Sequence, residues 1–219
     1  MTEHISALKK CPLFAGIDQG DIPALLACLQ ARERRMQREE FLFSAGDRPE
    51  NMGVVLAGSV RVVQEDYWGN RAILAVVEAG GLFGEAFVCA RAETLPVSVV
   101  GHKEGSVLLI GRDRILPAAP AACGFHAALI ANLMKILAEK NIALTRKMKH
   151  ITKKTTREKV LSYLSECAVS SAGETFEIPF SRQELADYLS VERSALSATL
   201  GKMRDEGLLT FHKNRFRLM

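Results

Sequence analysis

No stretch of this 219-residue chain reaches 18 uncharged apolar residues, and its opening MTEHISALKKCPLF has no basic segment leading into a long apolar one. The first absence excludes a membrane-spanning helix and the second an export signal, so a cytoplasmic protein with no membrane partner is expected. Cysteine is scarce and odd in number. Cys11, Cys28, Cys89, Cys123 and Cys167 are scattered without a C-x-x-C pair, which excludes a paired zinc site or dithiol couple and leaves most of them as plain buried thiols. The five histidines, His4, His102, His126, His150 and His212, stand far apart and form no H-x-H. A metal-dependent enzyme built on a β-roll needs clustered His and carboxylate ligands on adjacent strands. Neither catalytic nor metal-binding residues are therefore expected. Extensive disorder is also excluded, because 48% of the residues are hydrophobic and 25% charged, an ordinary globular balance.

What is present changes texture along the chain. From about residue 38 to 111, β-branched runs such as MGVVLAGSVRVV, RAILAVV, LFGEAFV and SVLLIG are punctuated by glycine, and Gly46, Gly58, Gly69 and Gly81 fall 12, 11 and 12 residues apart. That is the spacing of successive antiparallel strands and turns, and it predicts a double-stranded β-helix, or jelly roll. Before it, residues 20–30 place Ile22, Leu25, Leu26 and Leu29 on one side of a short helix that packs against the roll.

After Pro117 and Pro120 the pattern becomes a long helix. Ile130, Met134, Leu137, Asn141, Leu144, Met148 and Ile151 recur at alternating spacings of 4 and 3, an unbroken heptad seam. A second stripe, Phe125, Leu129, Leu133 and Ile136, is free to pack on the roll. Two stripes imply two partners, the roll and another protomer, so the seven seam residues form the expected dimer interface. Asn141 within the seam fits a dimer, since one polar seam residue fixes register and two-strandedness. The competing reading, in which both stripes are core of one chain, stays open at this point.

Charge is unevenly divided. Residues 1–134 hold 13 of the 29 Lys and Arg and 15 of the 25 Asp and Glu, leaving 16 basic and 10 acidic residues for 135–219. Residues 146–159 alone carry seven basic side chains, Arg146, Lys147, Lys149, Lys153, Lys154, Arg157 and Lys159. The C-terminal part is thus the candidate for a polyanion. A helix over 155–167, with Val160, Leu161 and Leu164, precedes a short strand over 175–180 with Phe176, Ile178 and Phe180. Ser181-Arg182-Gln183-Glu184 is an S-x-x-E capping box that starts a helix. Its Leu185 and Leu189 lead to a turn at Ser190-Val191. A second helix follows over 192–205, with Leu196, Leu200 and Met203 inward. This is a helix-turn-helix. Arg193, Ser194, Ser197, Ala198 and Lys202 face outward on its second helix, chemistry suited to base edges in a DNA major groove. Leu209 and Phe211, a Lys213-Asn214 turn, then Phe216 and Leu218 read as a hairpin wing, with His212, Lys213, Arg215 and Arg217 outward for phosphate.

The segment FSRQELADYLSVERSALSATLGKMRDEGLL with its wing resembles the C-terminal domain of the Crp/Fnr family of bacterial regulators. Upstream, Gly46, Gly58, Gly69 and the run Gly81-Leu82-Phe83-Gly84-Glu85 resemble that family's cyclic-nucleotide-binding-type roll, so the resemblance covers nearly the whole chain. It implies an α+β chain in three parts: a jelly-roll sensor domain at 1–116, a dimerisation helix at 117–152 and a winged helix-turn-helix at 153–219. It implies a homodimer on double-stranded DNA with an inverted-repeat operator, and RNA polymerase as a partner. Carried over by position, Ser181, Arg182 and Gln183 meet backbone phosphate. Arg193, Ser194 and Ser197 approach bases with Lys202 one turn on, and His212, Lys213 and Arg215 meet phosphate at the wing. Two positions depart from the family pattern. Ala198 stands where many members have arginine, leaving only a methyl for thymine, and Ser190 replaces the common turn glycine, at a conformational cost if φ is positive there.

The resemblance also frames the effector. Family members that bind cyclic nucleotides follow Gly-Glu with an Arg-Ser pair about ten residues later. Here Glu85 is present but Leu95 and Pro96 occupy the pair's places, which argues against cyclic AMP. Cys11 and Cys28 cannot supply the four ligands of an iron-sulfur cluster. Haem stays open through His102. An anionic ligand near Arg71, Arg91, His102 and Lys103 stays open too, as does a Cys89 redox switch if that thiol's pKa is lowered. The implied effector pocket comprises Arg71, Gly84, Glu85, Cys89, Arg91, Leu144 and Thr145. The expected function is a DNA-binding transcription regulator gated by a small effector other than cyclic AMP. The alternatives are a constitutive or thiol-controlled regulator and, in another class, a ligand-binding module without DNA recognition.

Overall fold

The computed structural model describes residues 5–65, 68, 71–116, 124–171 and 173–219. Gly69, Pro117, Pro120, Cys123 and His4, and the side chain of Arg71, lie outside the described part. The chain forms two compact units, Met1–Ala138 and Glu139–Met219. Among the described residues no helix is long and apolar enough to cross a membrane.

The first unit opens with α1 (Ile5–Lys10), a 3-10 turn at Pro12–Phe14 and α2 (Ile22–Cys28). The residues Ile22, Leu25, Leu26 and Leu29 are all buried as expected. The strands β1 (Arg32–Met36), β2 (Phe41–Phe43), β3 (Asn51–Glu65), β4 (Arg71–Glu78), β5 (Leu82–Phe83) and β6 (Ser98–Gly111) form one antiparallel sheet in the order β1-β6-β3-β4, with β2 on β6 and β5 on β3. β3 and β6, 15 and 14 residues long, pair over most of their length with three register shifts. Such shifts bend a strand and let one sheet curl into a roll. Gly58 sits at one of them with φ of +74°, and a Cβ there would lie 2.4 Å from the Glu104 carbonyl oxygen.

Because side chains alternate along a strand, β3 and β6 feed two cores. Met52, Val54 and Leu56 with Leu108 and Ile110 join the helical residues Leu8, Leu13, Phe14 and Leu25, and also Leu129, Leu133 and Ile136 from a long helix. Val55, Val60, Val99 and Val107 join Met36, Leu42 and Phe83 on the other face. Each fully buried leucine of this kind contributes about 1.5–3 kcal/mol of transfer free energy. The run LFGEAFV departs from expectation. Only Leu82–Phe83 is strand, and α3 (Glu85–Cys89) follows. Gly84, at φ of +76°, adopts a left-handed conformation that ends the strand and opens the helix. A short α4 (Arg112–Ile115) closes the roll.

The long helix α5 (His126–Ile151) runs 26 residues, and the boundary between the units falls within it. The second unit adds α6 (Thr156–Ser170), β7 (Phe176–Glu177), α7 (Arg182–Leu189), α8 (Arg193–Asp205), β8 (Leu209–His212) and β9 (Arg215–Leu218), with sheet order β7-β9-β8. Val160, Leu164, Leu185, Leu189, Leu196, Leu200, Met203, Leu209 and Phe216 form its core. The expected strand over 175–180 shrinks to two residues. Ile178 N–H bonds the Asn214 carbonyl at 3.0 Å, and Pro179 has no N–H to extend the ladder. α6 starts on a second capping box, Thr155 with Glu158, whose T-x-x-E spacing is as plain in the sequence as the Ser181 box.

Candidate nucleic-acid interface

α7 begins where the Ser181 hydroxyl accepts from Glu184 N–H and the Glu184 carboxylate accepts from Ser181 N–H. It ends at Ser190, which adopts φ of +52° and ψ of +59°. The sequence made a cost at this turn conditional on a positive φ, and the condition is met, at roughly 1 kcal/mol for a non-glycine residue. Lys159 offsets part of it. Its ammonium donates to the Leu189 and Ser190 carbonyls at 3.3 and 3.2 Å, satisfying acceptors at the negative end of the helix.

α8 is oriented by Leu196, Leu200 and Met203, all fully buried at i, i+4 and i+7. The opposite face is forced outward. Arg193, Ser194, Ser197, Ala198 and Lys202 are exposed, and the side chains of Arg193, Ser194 and Ser197 make no hydrogen bond or ion pair among the described residues. A Cβ added at Gly201 would meet nothing within 4 Å, so the face stays low and accessible along three turns.

The wing pairs Phe211 with Phe216 and His212 with Arg215, and turns through Lys213 at φ of +54°. His212, Lys213 and Arg215 are exposed at its tip. Arg182 is differently occupied. Its guanidinium stacks over the Phe211 and Phe216 rings at 5.1 and 5.7 Å and donates to the Lys213 carbonyl at 3.3 Å. Burial lowers its pKa. Arg182 thus ties the first helix to the wing. Gln183 donates to Asp187 at 2.9 Å, and Arg217, read from sequence as facing phosphate, pairs with Glu174 at 2.7 Å. The basic run is also largely committed internally. Lys149 pairs with Glu166 at 2.7 Å and Arg157 with Glu206 at 2.6 Å, and Lys147 lies over the Tyr188 ring. Pairing of this kind needs tertiary partners that charge counting does not register.

In the roll, Gly84, Glu85 and Cys89 come together at α3. Glu85 is 4% exposed, and a Cβ on Gly84 would lie 3.1 Å from the Phe43 ring. Phe43 and Phe83 pack with ring centroids 5.4 Å apart. Leu95 is buried, with its N–H bonded to the Asp47 carbonyl and its own carbonyl to Gly46 N–H, both at 2.8 Å. Cys89 is half-buried, and burial, reinforced by Glu85, raises its pKa. The lowered pKa on which a reactive thiolate depends is therefore not met. Arg91 is exposed, while Leu144 and Thr145 are exposed on α5 in the second unit.

A jelly-roll sensor-type domain followed along the chain by a long helix and a winged helix-turn-helix defines the class of DNA-binding regulators with an attached ligand-type domain. Residues 33–119 match the cyclic nucleotide-binding domain family, and residues 158–219 match the Crp-like helix-turn-helix domain. The CRP-like protein Clp of Xanthomonas euvesicatoria is 23% identical, the match spanning 88% of this chain and 85% of that protein. The nitrogen fixation regulation protein FixK of Azorhizobium caulinodans is 26% identical over 90% and 79%. The solved structure of the c-di-GMP-responsive global regulator CLP of Xanthomonas campestris has the same fold, with a TM-score of 0.59 and 20% identity over 92% of this chain and 99% of that one. The chain belongs to the Crp/Fnr family of transcription regulators, DNA-binding proteins and not enzymes.

The roll does not fit the cyclic nucleotide that its family name implies. A cyclic phosphate needs a charge-assisted donor. Leu95 and Pro96 stand where the family's Arg-Ser pair would supply it, and the Phe43 ring comes within 3.1 Å of where a Cβ on Gly84 would lie.

Proposed function

We propose that this chain acts in the cytoplasm as a homodimer that reads an inverted-repeat operator, engages RNA polymerase, and is gated by a small effector other than cyclic AMP. The working division is 1–116 for effector sensing, 117–152 for dimerisation and 153–219 for DNA. The observation that carries the DNA reading is the outward face of α8, where Arg193, Ser194 and Ser197 stand unpaired opposite a fully buried Leu196, Leu200 and Met203. Arg193 suits guanine, Ser194 and Ser197 accept several edges, and Ala198 suits a thymine methyl. His212, Lys213 and Arg215 with Lys202 add phosphate contacts. Arg182, Gln183 and Ser181 set the position of the first helix and the wing, and approach phosphate from that braced arrangement.

The dimer reading rests on α5. Leu129, Leu133 and Ile136 are buried in the first unit, whereas Met134, Leu144 and Met148 are 67, 62 and 58% exposed. Large apolar residues on one helical stripe, exposed in a single chain, fit a seam between two copies. Ile130, Leu137, Asn141 and Ile151 complete it.

Selection from random-sequence duplexes with the full-length protein tests the proposal. The expected result is an inverted repeat whose half-sites lie about one helical turn, ~34 Å, apart. Recovery of no preferred sequence would remove the DNA-reading assignment, and an asymmetric single site would remove the dimer.

A further inference from the structure

The last turn of α5 is held to the DNA-binding module through one buried histidine. His150 is 1% exposed. Its Nδ1 shares a hydrogen bond with the Ser162 hydroxyl of α6 at 2.9 Å. Its ring meets Tyr163 of α6 edge-on at 5.6 Å and lies 6.3 Å from Tyr188 of α7, the first helix of the helix-turn-helix. Tyr163, Phe180 and Tyr188 continue the cluster at centroid distances of 4.9 to 6.0 Å. One ring therefore packs on both helices that position α8.

The charged groups around it leave little room for a second proton. On α5, Lys149 is its sequence neighbour, and Lys153 lies just beyond the helix. On α6, Glu166 Oε2 is 3.8 Å from Nε2, too far for a hydrogen bond, and that oxygen already accepts from Lys149 at 2.7 Å. Tyr163 and Tyr188 present rings rather than charges, Lys147 lies over the far ring, and Arg146 acts on Glu166 and Tyr188. A neutral imidazole needs one partner here and has it in Ser162. An imidazolium donates from both nitrogens and needs a carboxylate at Nε2.

We propose that His150 is a positioning residue that makes operator binding pH-sensitive: a second ring proton needs a carboxylate at Nε2 that Lys149 already holds, and the buried charge loosens the ring from Tyr163 of α6 and Tyr188 of α7. The inference rests on the DNA-binding reading. Burial, followed by Lys149 and Lys153, holds the His150 pKa below its ordinary value of 6.5, against the pull of Glu166. The folded arrangement therefore binds fewer protons than the unfolded chain. Its contribution is present above pH 6.5 and is lost as pH falls through that value toward the lower folded pKa.

The wing carries a second, exposed histidine, His212, which the DNA-binding reading places against phosphate. The test therefore uses the full-length His212→Asn protein on the selected operator duplex, by fluorescence anisotropy from pH 7.5 to 5.5. Affinity should fall several-fold across this range. His150→Asn in the same background, which keeps a polar atom toward Ser162 but cannot titrate, should show less than a twofold change. Equal pH profiles for the two proteins would overturn the proposal. NMR titration of the His150, Tyr163 and Tyr188 ring signals without DNA keeps it falsifiable if His150→Asn does not fold. The tyrosine signals should shift with the histidine's own midpoint, and His150 protonation that leaves both tyrosines unmoved would equally overturn it. Absence of duplex binding at pH 7.5 would instead refute the DNA reading, which the DNA-free titration separates from the histidine's role.

Discussion

Arg182 and Arg193 both open helices of the same motif, yet the fold gives them opposite work. Arg182 is stacked on Phe211 and Phe216 and bonded to the wing backbone, whereas Arg193 is exposed without a partner among the described residues. A base-reading arginine must be available to guanine, and only Arg193 is. Arg193→Ala should weaken binding to the selected operator by roughly 1–3 kcal/mol while leaving salt-sensitive binding to random duplex nearly unchanged. Competition binding on the two DNAs measures this, and equal losses on both would argue against a base contact. Arg193, Ser194, Ser197 and Ala198 were legible from sequence because burial of Leu196, Leu200 and Met203 dictates which face of a helix turns outward. The commitments of Arg182, Lys159 and Arg217 were not. Each depends on a partner 30 to 43 residues away in the chain, Leu189, Ser190, Lys213 or Glu174, and such pairings leave no periodic trace.

At the scale of elements, α5 carries the proposed seam between two copies. Its inward stripe packs within the first unit, but Leu144 and Met148 are more than half exposed. A double substitution, Leu144→Glu with Met148→Glu, should leave the thermal unfolding of the isolated chain little changed, because the chain's own core does not use these residues. It should also place like charges opposite each other at the seam of a dimer. Sedimentation velocity at micromolar concentration should show the parent as a dimer and the variant as a monomer. A dimer in both would move the interface elsewhere. The heptad spacing was readable in advance because it is a local repeat. The conversion of LFGEAFV from a strand into β5, Gly84 and α3 was not, since a glycine in a β-branched run does not reveal the sign of its φ.

At the scale of the whole molecule, the lining of the roll limits which ligands it can hold. The chain carries the architecture of a cyclic-nucleotide-binding domain, but a buried Leu95 stands in the phosphate donor's place and the Phe43 ring lies close beside Gly84. Adding cyclic AMP at millimolar concentration should therefore leave the melting temperature unchanged within error. A ligand bound at a hundred times its dissociation constant would stabilise by about 2.7 kcal/mol, which is easily seen. A clear upward shift would show that the roll opens to admit the nucleotide.

Sequence by itself determined the order of the parts and the outward face of the reading helix. Those follow from alternation, helical period and caps, all set by neighbours within a turn or two. Only the tertiary structure decided which charges remain free for DNA, that Ser190 is held in a left-handed conformation, that burial raises the pKa of the Cys89 thiol, and that His150 is sealed against Tyr163 and Tyr188. Each of these depends on burial and on partners brought together from distant parts of the chain, which no local pattern encodes.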